Sequence, residues 1–158
     1  MRKLLMFIFL YVLTFSCDNN ETVIVVNSDD EDKYLELMKL KLDDAYNNLL
    51  DSKLSTENEY KEVLKSWGSF HQQVGEIVKE HKFDWGVKDS LILVMNKVYF
   101  NKKGKVAYYL FKVKNESVSK SKKVEYEKLL LENISKIKID LKRENKFSQC
   151  GKSKYLNI

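Results

Sequence analysis

The chain reads as an α+β protein: an N-terminal helical hairpin followed by a β-β-α-β unit with a small antiparallel sheet. Three patterns predict this. Two apolar stripes at alternating three- and four-residue steps occupy the first half. The period then shortens to continuous apolar runs on either side of Asn101-Lys102-Lys103-Gly104, a hairpin signal. A third helical stripe begins near Lys122, and the apolar tail Tyr155-Leu156-Asn157-Ile158 is short enough to be one more strand.

The first helix is expected over residues 33–54, where Leu35, Met38, Leu42, Ala45 and Leu49 share a face. The second is expected over 57–81. Thr56 and Glu59 have capping-box spacing at its start, and Tyr60, Val63, Trp67, Phe70, Val74, Ile77 and His81 keep the helical step throughout. A short polar link around 52–55 makes these two an antiparallel pair. Phe83-Asp84-Trp85-Gly86 is a turn. Leu91 to Phe100 and Val106 to Val113 are the hairpin strands, joined where Gly104 supplies positive φ. A polar loop covers 115–123. On the third helix Tyr126, Leu130, Ile134, Ile137 and Leu141 lie together, although Ile137, Ile139 and Leu141 also alternate as a strand does. Residues 147–151 read as a loop.

Ahead of this domain, Arg2 and Lys3 precede an uninterrupted apolar run from Leu4 to Leu13, and Thr14-Phe15-Ser16-Cys17 leads at once into Asp18-Asn19-Asn20-Glu21. That order is a secretory signal, and the run is shorter than the roughly 20 residues a membrane-spanning helix needs. Its end resembles the lipobox of bacterial lipoproteins, in the relaxed Ser-Cys form of Bacteroidetes-type bacteria, with Thr14 and Phe15 departing from the usual aliphatic and small residues. The resemblance covers residues 1–17. It implies cleavage before Cys17, a diacylglyceryl group on that thiol, and a protein lipid-anchored to an envelope membrane, the outer membrane on its periplasmic or surface side. Cleavage by the ordinary signal peptidase and an uncleaved anchor are the alternatives. The expected division is a signal at 1–16, a lipidated Cys17 with a flexible acidic tether at 17–32, and a single globular domain at 33–158.

Without its signal the chain carries 26 basic and 23 acidic residues, a formal charge of +3. The distribution is uneven. Residues 18–60 hold 12 acidic and 4 basic side chains, and residues 61–158 hold 22 basic and 11 acidic. The two parts attract each other, or the second carries a basic face suited to anionic headgroups or acidic glycans. Export makes nucleic acid a poor partner. The apolar fraction of 44% is ordinary for a globular domain. With Cys17 acylated, Cys150 has no partner in the chain, and a buried, inert thiol is expected.

Few residues suggest chemistry. Leu64, Gly68, His71, Gly75 and Val78 form a second row on the second helix. Two glycines inside a helix cost about 1 kcal/mol each relative to alanine, so the row implies either close backbone packing or a ligand notch at Gly68, His71 and Gly75. Two histidines without ligand spacing suggest no metal, and no cofactor is indicated. A Cys150–His71 nucleophile pair needs a contact the sequence does not establish, so no catalytic residue is assigned and no enzyme is expected. Tyr99, Tyr108, Tyr109 and Phe111 crowd the hairpin on both faces. Either two layers cover the sheet, or Tyr99, Tyr109 and Phe111 form a partner-binding patch. Asp89-Ser90-Leu91 resembles the O-glycosylation acceptor pattern of Bacteroidetes-type bacteria, which has meaning only on a surface.

From Val98 onward, Val98-Tyr99-Phe100-Asn101-Lys102-Lys103-Gly104-Lys105-Val106 and the later Phe147…Gly151-Lys152 resemble the C-terminal domain of TonB-type energy transducers over about 60 residues. That resemblance implies a hairpin–helix–strand topology with a sheet edge that takes up a peptide. The expected function is therefore binding: an accessory envelope lipoprotein that engages another envelope protein by a sheet edge or an aromatic face. The alternative is a carrier or sensor of a small apolar or anionic ligand.

Overall fold

A computed structural model describes residues 22–50 and 56–157. The candidate signal, Cys17, the 52–55 link and Ile158 lie outside them. Within them the chain is mixed α/β, with one five-stranded mixed sheet in the order β1-β4-β3-β5-β2.

The hairpin forms as its alternation predicts, from β3 (Leu91–Phe100) and β4 (Val106–Val113). Gly104 closes it at φ +81°, where a Cβ would collide with the carbonyl oxygen of Ile139. On the far side of β3 lies β5 (Phe147–Leu156), antiparallel over ten residues. This corrects the expected loop at 147–151 and the short strand at 155–158. β5 buries Phe147, Gln149, Ser153 and Tyr155 on one face, with Gly151 at the same alternate spacing. Such a mixed polar and apolar face carries little hydrophobic alternation for a sequence to reveal.

Two short parallel strands flank this antiparallel core, so the sheet is mixed and five-stranded and not the small, wholly antiparallel one expected. β1 (Ile24–Asn27) pairs with β4, and β2 (Asn47–Asn48) pairs with the start of β5. β1 also corrects the tether at 17–32, because Val25 and Val26 are buried on opposite faces of the sheet. The acidic run beyond it is docked too. Asp29 meets Lys123 at 2.6 Å and Lys112 at 3.3 Å, ion pairs between the acidic and basic parts of the chain.

The expected N-terminal helical hairpin does not form. α1 (Glu31–Lys39) is capped by Asp30, and the chain then breaks at Lys41, whose φ is +47°. A single turn, α2 (Leu42–Ala45), leads into β2. Leu37, Leu42 and Tyr46 are buried, whereas Leu35 and Met38 of the expected stripe are exposed. By contrast α3 (Glu57–Glu80) starts on the Thr56–Glu59 capping box and buries Val63, Trp67, Phe70, Val74 and Ile77. α4 (Lys120–Asn133) starts on Ser119 and buries Tyr126 and Leu130. After one 3-10 turn the chain runs extended, and Ile137, Ile139 and Leu141 are all buried.

Apolar clusters sit on both faces of the sheet. The larger lies under α3 and α4 and contains Phe70, Trp85, Val98, Tyr109, Phe111 and Tyr126. The smaller lies on the opposite face with α1 and α2, around Leu37, Tyr46, Tyr99 and Leu110. This second cover reaches only part of the face.

Candidate functional site: the groove between α3 and the edge of β5

α3 crosses the sheet beside β5, and one glycine on the strand allows the approach. A Cβ at Gly151 would stand 2.6 Å from Trp67 Nε1. Beyond that contact the two elements diverge and leave a groove of about 530 Å³. Trp67, Gly68, His71, Gln72 and Gly75 line the helix side, and Lys152 to Leu156 line the strand side. The glycine row of α3 faces this space. A Cβ at Gly68 would meet nothing within 4 Å, and one at Gly75 would rest 3.7 Å from Tyr155 Cδ1. So the close backbone approach belongs to Gly151, and Gly68 keeps the groove open.

His71 sits between groove and core. Its Nδ1 shares a 2.7 Å hydrogen bond with the Tyr155 hydroxyl, and the Trp67 ring packs edge-on against it with centroids 4.2 Å apart. Burial pushes the imidazole down to about 4, so it is neutral at pH 7. Its Nε2 is buried without a hydrogen-bond partner among the described residues. Behind it lies a polar seam in the core. Tyr109 donates from its hydroxyl to Asn96 Oδ1 at 3.0 Å, and Asn96 Nδ2 donates to Ser153 Oγ at 2.8 Å. Burial pushes the Tyr155 hydroxyl up to about 12.

The backbone of β5 supplies the second feature. Asn47 N–H donates to the Lys146 carbonyl and Leu49 N–H to that of Ser148. These outward groups recur every second residue along a strand. The same side therefore carries the N–H and C=O groups of Cys150, Lys152 and Lys154. Gln149 Nε2 donates to the Cys150 carbonyl. Past Ser148 no strand among the described residues pairs with this edge. The groove runs along it. Lys79, Lys152 and Lys154 set three positive charges against Glu76 at its rim.

The other candidate residues fall elsewhere. Tyr99, Tyr109 and Phe111 are 1%, 0% and 1% exposed, which corrects their assignment to a partner-binding patch. Two layers cover the sheet, with Tyr109 and Phe111 under α3 and α4 and Tyr99 beneath α2, where its hydroxyl donates to Asp43 at 2.9 Å. Cys150 is exposed, not buried. Strand alternation turns its side chain to the face opposite Tyr155, which His71 touches, so the two do not form a nucleophile pair. Asp89, Ser90 and Leu91 are all exposed. Cys17 lies outside the described residues.

Sequence reasoning misses Lys152, Lys154 and Tyr155 as site residues, because the polar and small inward residues Gln149, Gly151 and Ser153 hide the alternation of their strand. Among the described residues, no cluster of His, Cys, Asp and Glu could hold a metal ion, and no helix is long and apolar enough to cross a membrane. No protein-family model matches the chain, and neither a curated protein nor a solved structure is detectably similar to it.

Proposed function

We propose that this is an envelope lipoprotein, anchored through Cys17, whose domain binds an extended segment of another envelope protein by strand addition to β5. One observation carries the reading: from Lys152 to Leu156 a strand edge that no described strand pairs with lies along an open groove. An extended segment on that edge gains main-chain hydrogen bonds, and its alternate side chains enter the groove, which gives specificity. The partner segment is acidic where it passes Lys152, Lys154 and Lys79. Gly68 makes room for one of its side chains, and Tyr155 and Trp67 provide apolar contact.

The test is co-purification of the mildly extracted protein, wild type against Lys154→Pro. Proline removes an outward N–H without breaking the β3–β5 ladder, a position that tolerates it at a sheet edge. The expected result is a stoichiometric protein partner on the wild type that is lost from Lys154→Pro. A partner retained in full by Lys154→Pro contradicts strand addition.

A second reading has one observation in its favour. The groove's volume falls within the range of small-molecule sites, and a bound small molecule in place of a protein would identify a carrier.

A further inference from the structure

The sheet has a second open surface, which meets the groove only along β5. On the face opposite α3, the cover of α1 and α2 ends near Tyr99 and Leu110. Past that point Leu91, Leu93 and Met95 of the central strand β3 form an apolar column. The β5 register sets Leu156 beside Leu91, Lys154 beside Leu93 and Lys152 beside Met95. On the other side β4 sets Lys112 beside Met95, and the Lys114 N–H donates to the Leu93 carbonyl. The column is thus flanked by two lysines on each side. Lys112 reaches Asp29 at 3.3 Å, while Lys114, Lys152 and Lys154 have no ion pair among the described residues. Leu91 and Leu156 are 45% and 66% exposed, and α1 exposes Leu35 and Met38 on the same side of the sheet.

We infer that this face docks flat on anionic lipid headgroups. Lysine stems lie along apolar surface while their ammonium groups reach a charged interface, and an anionic leaflet attracts such a basic cluster. β3 is a central strand with both edges paired, so the surface cannot take an added strand. It is apolar along its middle and cationic on both sides, which suits a bilayer surface better than a folded acidic partner. The anchor reading adds proximity. If Cys17 carries the lipid, only the residues up to Ile24 separate anchor from sheet, and seven extended residues span at most about 25 Å. The face shares Lys152 and Lys154 with the rim of the groove, so membrane docking and an acidic strand partner draw on the same two ammonium groups, whereas Lys114 and the leucine column belong to the face alone.

The test uses the full chain as processed and extracted from its membranes, in a Cys150→Ser background. A fluorophore is placed at Leu93→Cys on the face, or at Lys128→Cys on α4. The Cys150→Ser parent takes no label when Cys17 is acylated, so the state of the anchor is read separately from docking. Vesicles carry a headgroup quencher and are either neutral or rich in anionic lipid. On anionic vesicles, quenching at position 93 should exceed that at 128 by about threefold or more. The difference should vanish on neutral vesicles and in Lys114→Glu/Lys152→Glu/Lys154→Glu, with circular dichroism unchanged. Equal quenching at both positions on anionic vesicles, or no association with them, overturns the proposal and leaves the face to an acidic protein.

Discussion

His71 shows how one residue joins groove and core. Its imidazole is lowered from 6.5 to about 4 by burial, so the folded state holds it neutral while the unfolded chain protonates it below 6.5. The unfolded state then binds more protons, and stability falls as pH drops from 6.5 towards 4. The full effect is about 3 kcal/mol. Asp29 and Asp43, whose carboxyls are held below the usual range by Lys123, Lys112 and Lys97 against the opposing effect of burial, lose their contribution only below about 3.8. The window between pH 6.5 and 5 therefore isolates His71. Urea midpoints should decline across it in the wild type and stay level in His71→Gln. An equal decline in both would place the titrating group elsewhere. His71 was legible as a groove residue from its glycine neighbours at three- and four-residue steps. Tyr155 was not, because its contact with His71 joins residues far apart in sequence.

At the scale of elements, the approach of α3 to β5 turns on one glycine, and a second sets the opening. Gly151→Ala drives a methyl into the Trp67 indole and should destabilise by about 1–3 kcal/mol. Gly68→Ala meets open space and should stabilise by up to about 1 kcal/mol through helix propensity. Thermal melts of the two variants check this, and opposite shifts are expected. Similar shifts would mean that the glycines pack alike. α3 was fully legible, since 24 residues of one period and a capping box leave little else possible. The stretch 33–54 carried the same period, yet Lys41 breaks it in the left-handed region and Asn47–Asn48 joins the sheet. Turning onto the sheet buries Leu42 and Tyr46, while Leu35 and Met38 of the same stripe stay exposed. β1 and β2 were invisible for a different reason. Four and two residues are too few to show a period, and their parallel pairing is non-local.

For the whole molecule, the uneven charge along the sequence has a spatial counterpart. Part of it is internal, in the pairs of Asp29 and Asp43 with Lys112, Lys123 and Lys97. Exposed pairs of this kind contribute little to stability. Another part surfaces on β4 and β5, as the open face with Lys114, Lys152 and Lys154 and as the rim of the groove. β5 borders both surfaces, with its edge along the groove and its even-numbered side chains on the open face. A strand only partly legible in the sequence thus bears most of the proposed function. Polar and small inward residues (Gln149, Gly151 and Ser153) concealed its alternation.

The central claim is that the β5 edge is open and receives a strand. Residue-resolved amide hydrogen exchange at Lys152 and Lys154 tests it most directly. In the isolated protein these two amides should exchange quickly while the inward amides of Ser153 and Tyr155 are protected. With partner bound, both should slow by about a hundredfold or more, as expected of ladder hydrogen bonds in a stable sheet. Lys152 and Lys154 amides already protected in the isolated protein, or still fast in the complex, would contradict the account.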